Sequence, residues 1–183
     1  MKVLIGKRAG RLAQGVWRAA GMLLAVAVLT LGLVPQRASA SPASDCQYNP
    51  CYIQSITNKA CMTIQGASQA DDARAILWGC IGVANQKFTI QQSPYSGWYR
   101  IKPAHSDHQC LTAFVAEFTS DLGQWTCSDF DFSQLWWLGG GGGGKWTLQD
   151  ASSYQCAQNH GYGVPVIRVT CNGSNLQKWY IFH

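Results

Sequence analysis

No stretch of residues 41–183 carries a convincing 3.6-residue apolar period, which argues against a helical bundle. His-Glu-x-x-His and Gly-x-Ser-x-Gly are both missing, so neither a zinc-protease helix nor a nucleophile elbow is encoded. Cysteines are present, but none stands in the tight Cys-x-x-Cys spacing of a zinc site, and no metal or other cofactor is expected. Charge is scarce, at 13% of the chain. Residues 1–40 hold six of the 14 Lys+Arg and none of the nine Asp+Glu, so the remaining 143 residues carry a net charge of −1. That leaves no clustered basic surface for nucleic acid.

The first 40 residues have the order of a secretory signal peptide. Lys2, Lys7, Arg8, Arg11 and Arg18 lead, an apolar run follows from Ala19 to Val34, and Ala38-Ser39-Ala40 is a small-x-small cleavage site. The apolar run of 16 residues falls short of the roughly 20 that a spanning helix needs. A secreted chain starting at Ser41 is expected, with no membrane insertion after cleavage and enough length for one domain. It holds all eight cysteines, and an even count in an exported chain implies a disulfide framework.

One grammar recurs three times. Cys61 opens an apolar run, a second run ends at Cys80, and Gln86-Lys87-Phe88 follows. Cys110, Cys127 and Gln134-Leu135-Trp136 repeat it, and so do Cys156, Cys171 and Gln177-Lys178-Trp179. The first cysteines lie 49 and 46 residues apart, and the Gln-x-aromatic triplets 48 and 43 apart. Self-similarity at this period decides the fold. The repeat selects the pairs Cys61–Cys80, Cys110–Cys127 and Cys156–Cys171, and leaves Cys46–Cys51 to close a lead-in over residues 41–51. Aromatic and β-branched residues at alternate positions, parted by turn residues, predict four strands per repeat. They are Tyr52–Ile56, Cys61–Ile64, Ala75–Trp78 and Lys87–Ile90; Trp98–Ile101, Cys110–Phe114, Leu122–Trp125 and Leu135–Leu138; Trp146–Leu148, Cys156–Gln158, Val166–Val169 and Lys178–Phe182. The repeats run over 52–92, 97–138 and 145–183. The six glycines Gly139 to Gly144 read as a flexible connection, because the Lys-Ser/Thr and helix of a phosphate-binding loop do not follow.

With three Gln-x-aromatic triplets, each behind a cysteine pair, the chain resembles the ricin B-type lectins, β-trefoils also grouped as a carbohydrate-binding module family. The resemblance covers about residues 46–183. It implies an all-β, disulfide-bonded trefoil: a six-stranded barrel capped by three hairpins, with up to three shallow sugar sites. It assigns Gln86, Gln134 and Gln177 to tying backbone together, and Phe88, Trp136 and Trp179 to filling the barrel.

In the resembling family a sugar site has an aspartate two residues after the first cysteine and an aromatic two before the second. An asparagine often precedes the motif glutamine. The first repeat carries Thr63, Trp78 and Asn85 at these positions, with Gln86 beside them. The second carries Thr112, Trp125 and Ser133, and the third Gln158, Val169 and Leu176. The resemblance therefore points to Thr63, Trp78, Asn85, Gln86 and Trp125 as carbohydrate-binding residues, with the first repeat the best candidate. A threonine offers one hydroxyl where a carboxylate makes two charge-assisted bonds. Asp71 or Asp72, in the loop ahead of the third strand, would supply a carboxylate from another direction. Plainer roles are open to the same residues: Trp78 and Trp125 as half-buried strand aromatics, Asn85 as a turn residue, and Asp71-Asp72 and His105-Ser106-Asp107-His108 as solvated loops.

The expected function is non-enzymatic binding of a galactose-type sugar or a plant or cell-surface polysaccharide. The alternative is a trefoil with decayed sugar sites that serves as a protein-binding subunit, as an inhibitor, or as the targeting subunit of a co-secreted toxin or hydrolase.

Overall fold

Among the described residues the regular structure is nearly all short strands, some alternating between buried and part-exposed positions, as in Cys51–Ser55, and some buried throughout, as in Cys61–Ile64. The computed structural model describes residues 41–114, 120–140 and 142–183; the leader lies outside the described residues. The strands of the first repeat are β1 (Cys51–Ser55), β2 (Cys61–Ile64), β3 (Ala75–Trp78) and β4 (Lys87–Gln92). Those of the second are β5 (Tyr99–Pro103), β6 (Gln109–Ala113), β7 (Leu122–Thr126) and β8 (Trp136–Gly140). The third has β9 (Lys145–Asp150), β10 (Cys156–Gln158), β11 (Ile167–Val169) and β12 (Trp179–Phe182). All twelve expected strands are present, with ends displaced by at most a few residues.

Six of them close a ring. β1 pairs with β4, β4 with β5, β5 with β8, β8 with β9, β9 with β12, and β12 with β1, every pair antiparallel. The other six form the hairpins β2–β3, β6–β7 and β10–β11, one per repeat. This is a β-trefoil, and closure leaves the barrel no free edge. Inside lie Phe88, Trp136 and Trp179, each wholly buried, among Ile53, Ile90, Ile101 and Leu148. The indole N–H groups of Trp136 and Trp179 donate to Leu111 O (2.9 Å) and Ala157 O (3.2 Å), which pays the cost of burying a polar tip. Phe88, without such a donor, holds the matching place in the first repeat.

The motif glutamines do one job three times. Each is fully buried and ends a single 3-10 turn. Gln86 Oε1 accepts from Ile81 N (2.8 Å) while its Nε2 donates to Gly79 O (2.7 Å). Gln134 does the same with Ser128 N (2.8 Å) and Thr126 O (3.0 Å), and Gln177 with Asn172 N (2.9 Å) and Thr170 O (2.9 Å). In every repeat the two backbone groups held are those on either side of the second cysteine. The disulfides Cys46–Cys51, Cys61–Cys80, Cys110–Cys127 and Cys156–Cys171 are the pairs that the repeat selects.

One element is not foreseen by the sequence, and one expectation needs correction. The lead-in holds a helical turn, Pro42–Cys46, with Ser41 as its N-cap and proline in its first turn, where its missing N–H costs nothing. The glycine run is not wholly a linker. Gly139 and Gly140 continue β8 and pair with Thr147 and Trp146 of β9. A Cβ at 139 would come within 2.2 Å of the Trp137 ring, so a larger residue there would displace the indole. Only the later part turns, with Gly142, Gly143 and Gly144 all at positive φ.

Replacing Gln134 with Ala takes the partner from the Ser128 N–H and the Thr126 carbonyl in a part-buried setting. Denaturant unfolding of the oxidised protein is expected to show a loss of about 1–3 kcal/mol, since a typical hydrogen bond contributes about 0.5–1.5. A loss within experimental error would remove the glutamine from its structural role.

Candidate functional site

Hairpin register sets the first candidate surface. β2 and β3 pair Thr63 with Ile76 and Cys61 with Trp78, and period two brings Thr63, Ile76 and Trp78 to one depression. The depression measures about 360 Å³ and is completed by Gln65, Val83, Asn85 and Gln86. Thus Thr63, Trp78, Asn85 and Gln86 are brought together, while Trp125 lies elsewhere. The Thr63 hydroxyl donates back to Cys61 O (3.0 Å) and accepts from Gln86 Nε2 (3.1 Å), so its single proton is spent within the protein. Asn85 Nδ2 donates to Ile64 O (2.7 Å); its Oδ1 has no protein donor among the described residues.

Trp78 is 45% exposed. Part of its ring is covered by a residue from the third repeat: Tyr162 stacks on the indole at 4.9 Å and 29°. The Tyr162 hydroxyl accepts from Gly79 N (3.1 Å). The loop carrying Tyr162 is laced to β3 by Gly163 N to Leu77 O (2.7 Å) and Val166 N to Ala75 O (2.8 Å). The first repeat lines this surface, and the third repeat supports its tryptophan.

The second depression, of about 250 Å³, is lined by Thr112, Phe114, Trp125, Asp131 and Ser133. Trp125 is 44% exposed and meets the ring of Phe114 edge-on at 6.2 Å and 81°. Thr112 repeats the behaviour of Thr63, its hydroxyl donating to Cys110 O (2.9 Å). The carboxylate comes from Asp131. Its Oδ1 accepts from Ser133 N (2.9 Å) and Ser133 Oγ (2.6 Å), capping the 3-10 turn, and its Oδ2 has no protein donor among the described residues. Neither Asp131 nor Phe114 is expected from the cysteine-based spacing. The signal that finds Asp131 is the Asp-x-Ser turn just ahead of Gln134.

Asp71 does not serve the first depression. Its Oδ1 accepts from Thr126 N (2.6 Å) and Thr126 Oγ1 (2.9 Å), pinning the first repeat to β7 of the second. Asp72 sits at φ 67 and donates its backbone N–H to Gln124 O (3.0 Å), so the loop turns toward the second hairpin. His105 Nε2 donates to Ser68 O (2.8 Å), tying its loop to the first repeat. In the third repeat Gln158 Oε1 accepts from Gln177 Nε2 (3.1 Å), and Val169 and Leu176 occupy the places of the tryptophan and asparagine.

The family described as the ricin-type beta-trefoil lectin domain matches residues 49–179. The chain belongs to that family. Among solved structures, this ricin-type trefoil is similar to the designed 3-fold symmetric protein ThreeFoil, at 21% identity and a TM-score of 0.66 over 73% of this chain and 98% of that one. It is similar to the earthworm R-type lectin C-half in complex with GalNAc, at 17% identity and a TM-score of 0.57 over 73% and 97% of the two chains. It is also similar to SeviL bound to asialo-GM1 saccharide, at 17% identity and a TM-score of 0.56 over 73% and 95%. These likenesses are of fold. Comparison with curated proteins gives no match.

The stacked pair is expected to be coupled. A double-mutant cycle on Trp78→Ala and Tyr162→Ala, read by thermal unfolding, should give an interaction of about 1 kcal/mol, the size of a stacked aromatic pair. Additive losses would mean that Tyr162 does not hold the indole.

Proposed function

We propose that this ricin-type trefoil is a secreted carbohydrate-binding protein, with shallow sugar sites in the first two repeats. The observation that carries this reading is the second depression. It joins an open indole face, which suits the C–H surface of a sugar ring, to a carboxylate oxygen without a protein donor, which suits its hydroxyls. Trp125 is the stacking residue there and Asp131 the acceptor. In the first repeat Trp78 stacks, Asn85 Oδ1 accepts, and Thr63 and Gln86 hold the floor. That site has an amide in place of a carboxylate and is the weaker of the two. Two sites on one rigid body raise avidity for a polysaccharide or glycan-bearing surface.

Four disulfides suit the oxidising compartment to which the leader over residues 1–40 directs the chain. Binding without cleavage is the reading: glycoside hydrolysis needs two converging carboxyl groups, and among the described residues the second depression is lined by one.

Tryptophan fluorescence of the oxidised protein, titrated with galactose, lactose, GalNAc and fragments of xylan and arabinan, tests the proposal. A saturable change is expected. Asp131→Asn should weaken it by about tenfold at the second site, the loss of one charge-assisted bond. Trp125→Ala should abolish that site, and Trp78→Ala the other. Silence toward every sugar, with circular dichroism unchanged, would favour a protein-binding role and direct the search to co-secreted partners.

A further inference from the structure

A third exposed indole lies away from both depressions. Trp137 of β8 is 45% exposed and projects from the outer face of the β8–β9 hairpin. Register places it opposite Gln149, and places Gly139 opposite Thr147. With period two, these four positions share one face. The Trp137 ring lies over Gly139, where a Cβ would strike it, and nearly half of the residue's surface is left to solvent. Beside it runs a groove of about 240 Å³, lined by Trp137, Thr147, Gln149, Gly173 and Lys178 among others.

The polar groups of this groove differ in sign from those of the second depression. Lys178 is half-buried, and its Nζ donates to Thr147 Oγ1 (2.6 Å). Among the described residues its ammonium has no carboxylate partner, and no acid lines the groove. Gln149 spends its Nε2 on Tyr154 O (2.9 Å) and Cys171 Sγ (3.5 Å), which leaves Oε1 as an acceptor. A half-buried cation without a counter-ion calls for an anion, because desolvating a charge is costly until it is paired. An open indole beside it calls for a flat, partly apolar ring.

We infer that the Trp137–Lys178 groove binds an acidic saccharide, with a uronic acid or similarly carboxylated ring on Trp137 and its carboxylate on Lys178. Gln149 Oε1 takes a ring hydroxyl. The site belongs to the seam between the second and third repeats and is independent of the two depressions proposed above.

The test is a fluorescence titration of the oxidised protein with a short oligogalacturonate and, in parallel, with its methyl ester, which keeps the shape and loses the charge. The acid is expected to bind saturably, and the ester about tenfold more weakly or worse, as is the acid to Lys178→Met. Trp137→Ala should lose the response with circular dichroism unchanged. The Trp78→Ala/Trp125→Ala double variant should keep it, even though neutral sugars no longer bind that variant. Equal affinity for acid and ester, binding that survives Trp137→Ala, or binding lost in the double variant would each overturn the assignment. So would no binding of the acid at all. The neutral-sugar titrations on the same samples report separately on the other two sites.

Discussion

The amide of one glutamine per repeat is the contact on which the rest of this structure depends. A side-chain amide carries a donor and an acceptor in a fixed plane. Here that plane grips the carbonyl before the second cysteine and the N–H after it. The chain must leave a cap hairpin at this point and re-enter the barrel, and re-entry exposes backbone groups that no ladder can pair. A buried glutamine pairs both at once, and the aromatic two residues further on then drops into the barrel. The disulfide joins the same cysteine to the start of its hairpin. Amide, disulfide and core aromatic thus meet at one corner, and the corner is made three times.

This explains why the fold was readable and the chemistry less so. Alternating residues and a repeated cysteine–glutamine spacing are local signals, and strands such as Cys61–Ile64 and Ala75–Trp78 run between the expected residues. The glycine run misleads because composition alone reads as linker. Only the cross-strand register of β8 with β9, and the bulk of Trp137, show that two of its glycines belong in a strand. Thr63, Trp78, Asn85 and Gln86 come together because each is counted from a cysteine or from the motif. Asp131 escapes that count, since it belongs to a turn. Asp71 is misjudged because proximity in sequence says nothing about which way a loop bends, and the positive φ at Asp72 bends this one toward Thr126. Tyr162 lies 83 residues beyond Gly79, whose N–H it accepts, and nothing local announces that contact.

The two tryptophan surfaces also show how a symmetric frame takes on unequal sites. Thr63 and Thr112 are equivalent and behave alike, each turning its hydroxyl back to its own cysteine's carbonyl. What differs is drawn from loops: a tyrosine from the third repeat over Trp78, a turn aspartate beside Trp125. The strands carry the frame and the loops carry the differences, even where a loop residue touches a glutamine corner, as Asp131 does in capping the turn that ends at Gln134.

The cysteine pairs have a bearing on survival under proteolysis. Each of three disulfides spans a whole hairpin, from Cys61 to Cys80, Cys110 to Cys127 and Cys156 to Cys171. Exposed residues stand in the turns of the first and third of these hairpins, at Gln69-Ala70 and Tyr162-Gly163-Val164, and exposed turns are natural points of attack for a protease. A cut in either turn would leave both new ends tethered to one body by the disulfide around it. The nicked molecule would remain a single particle.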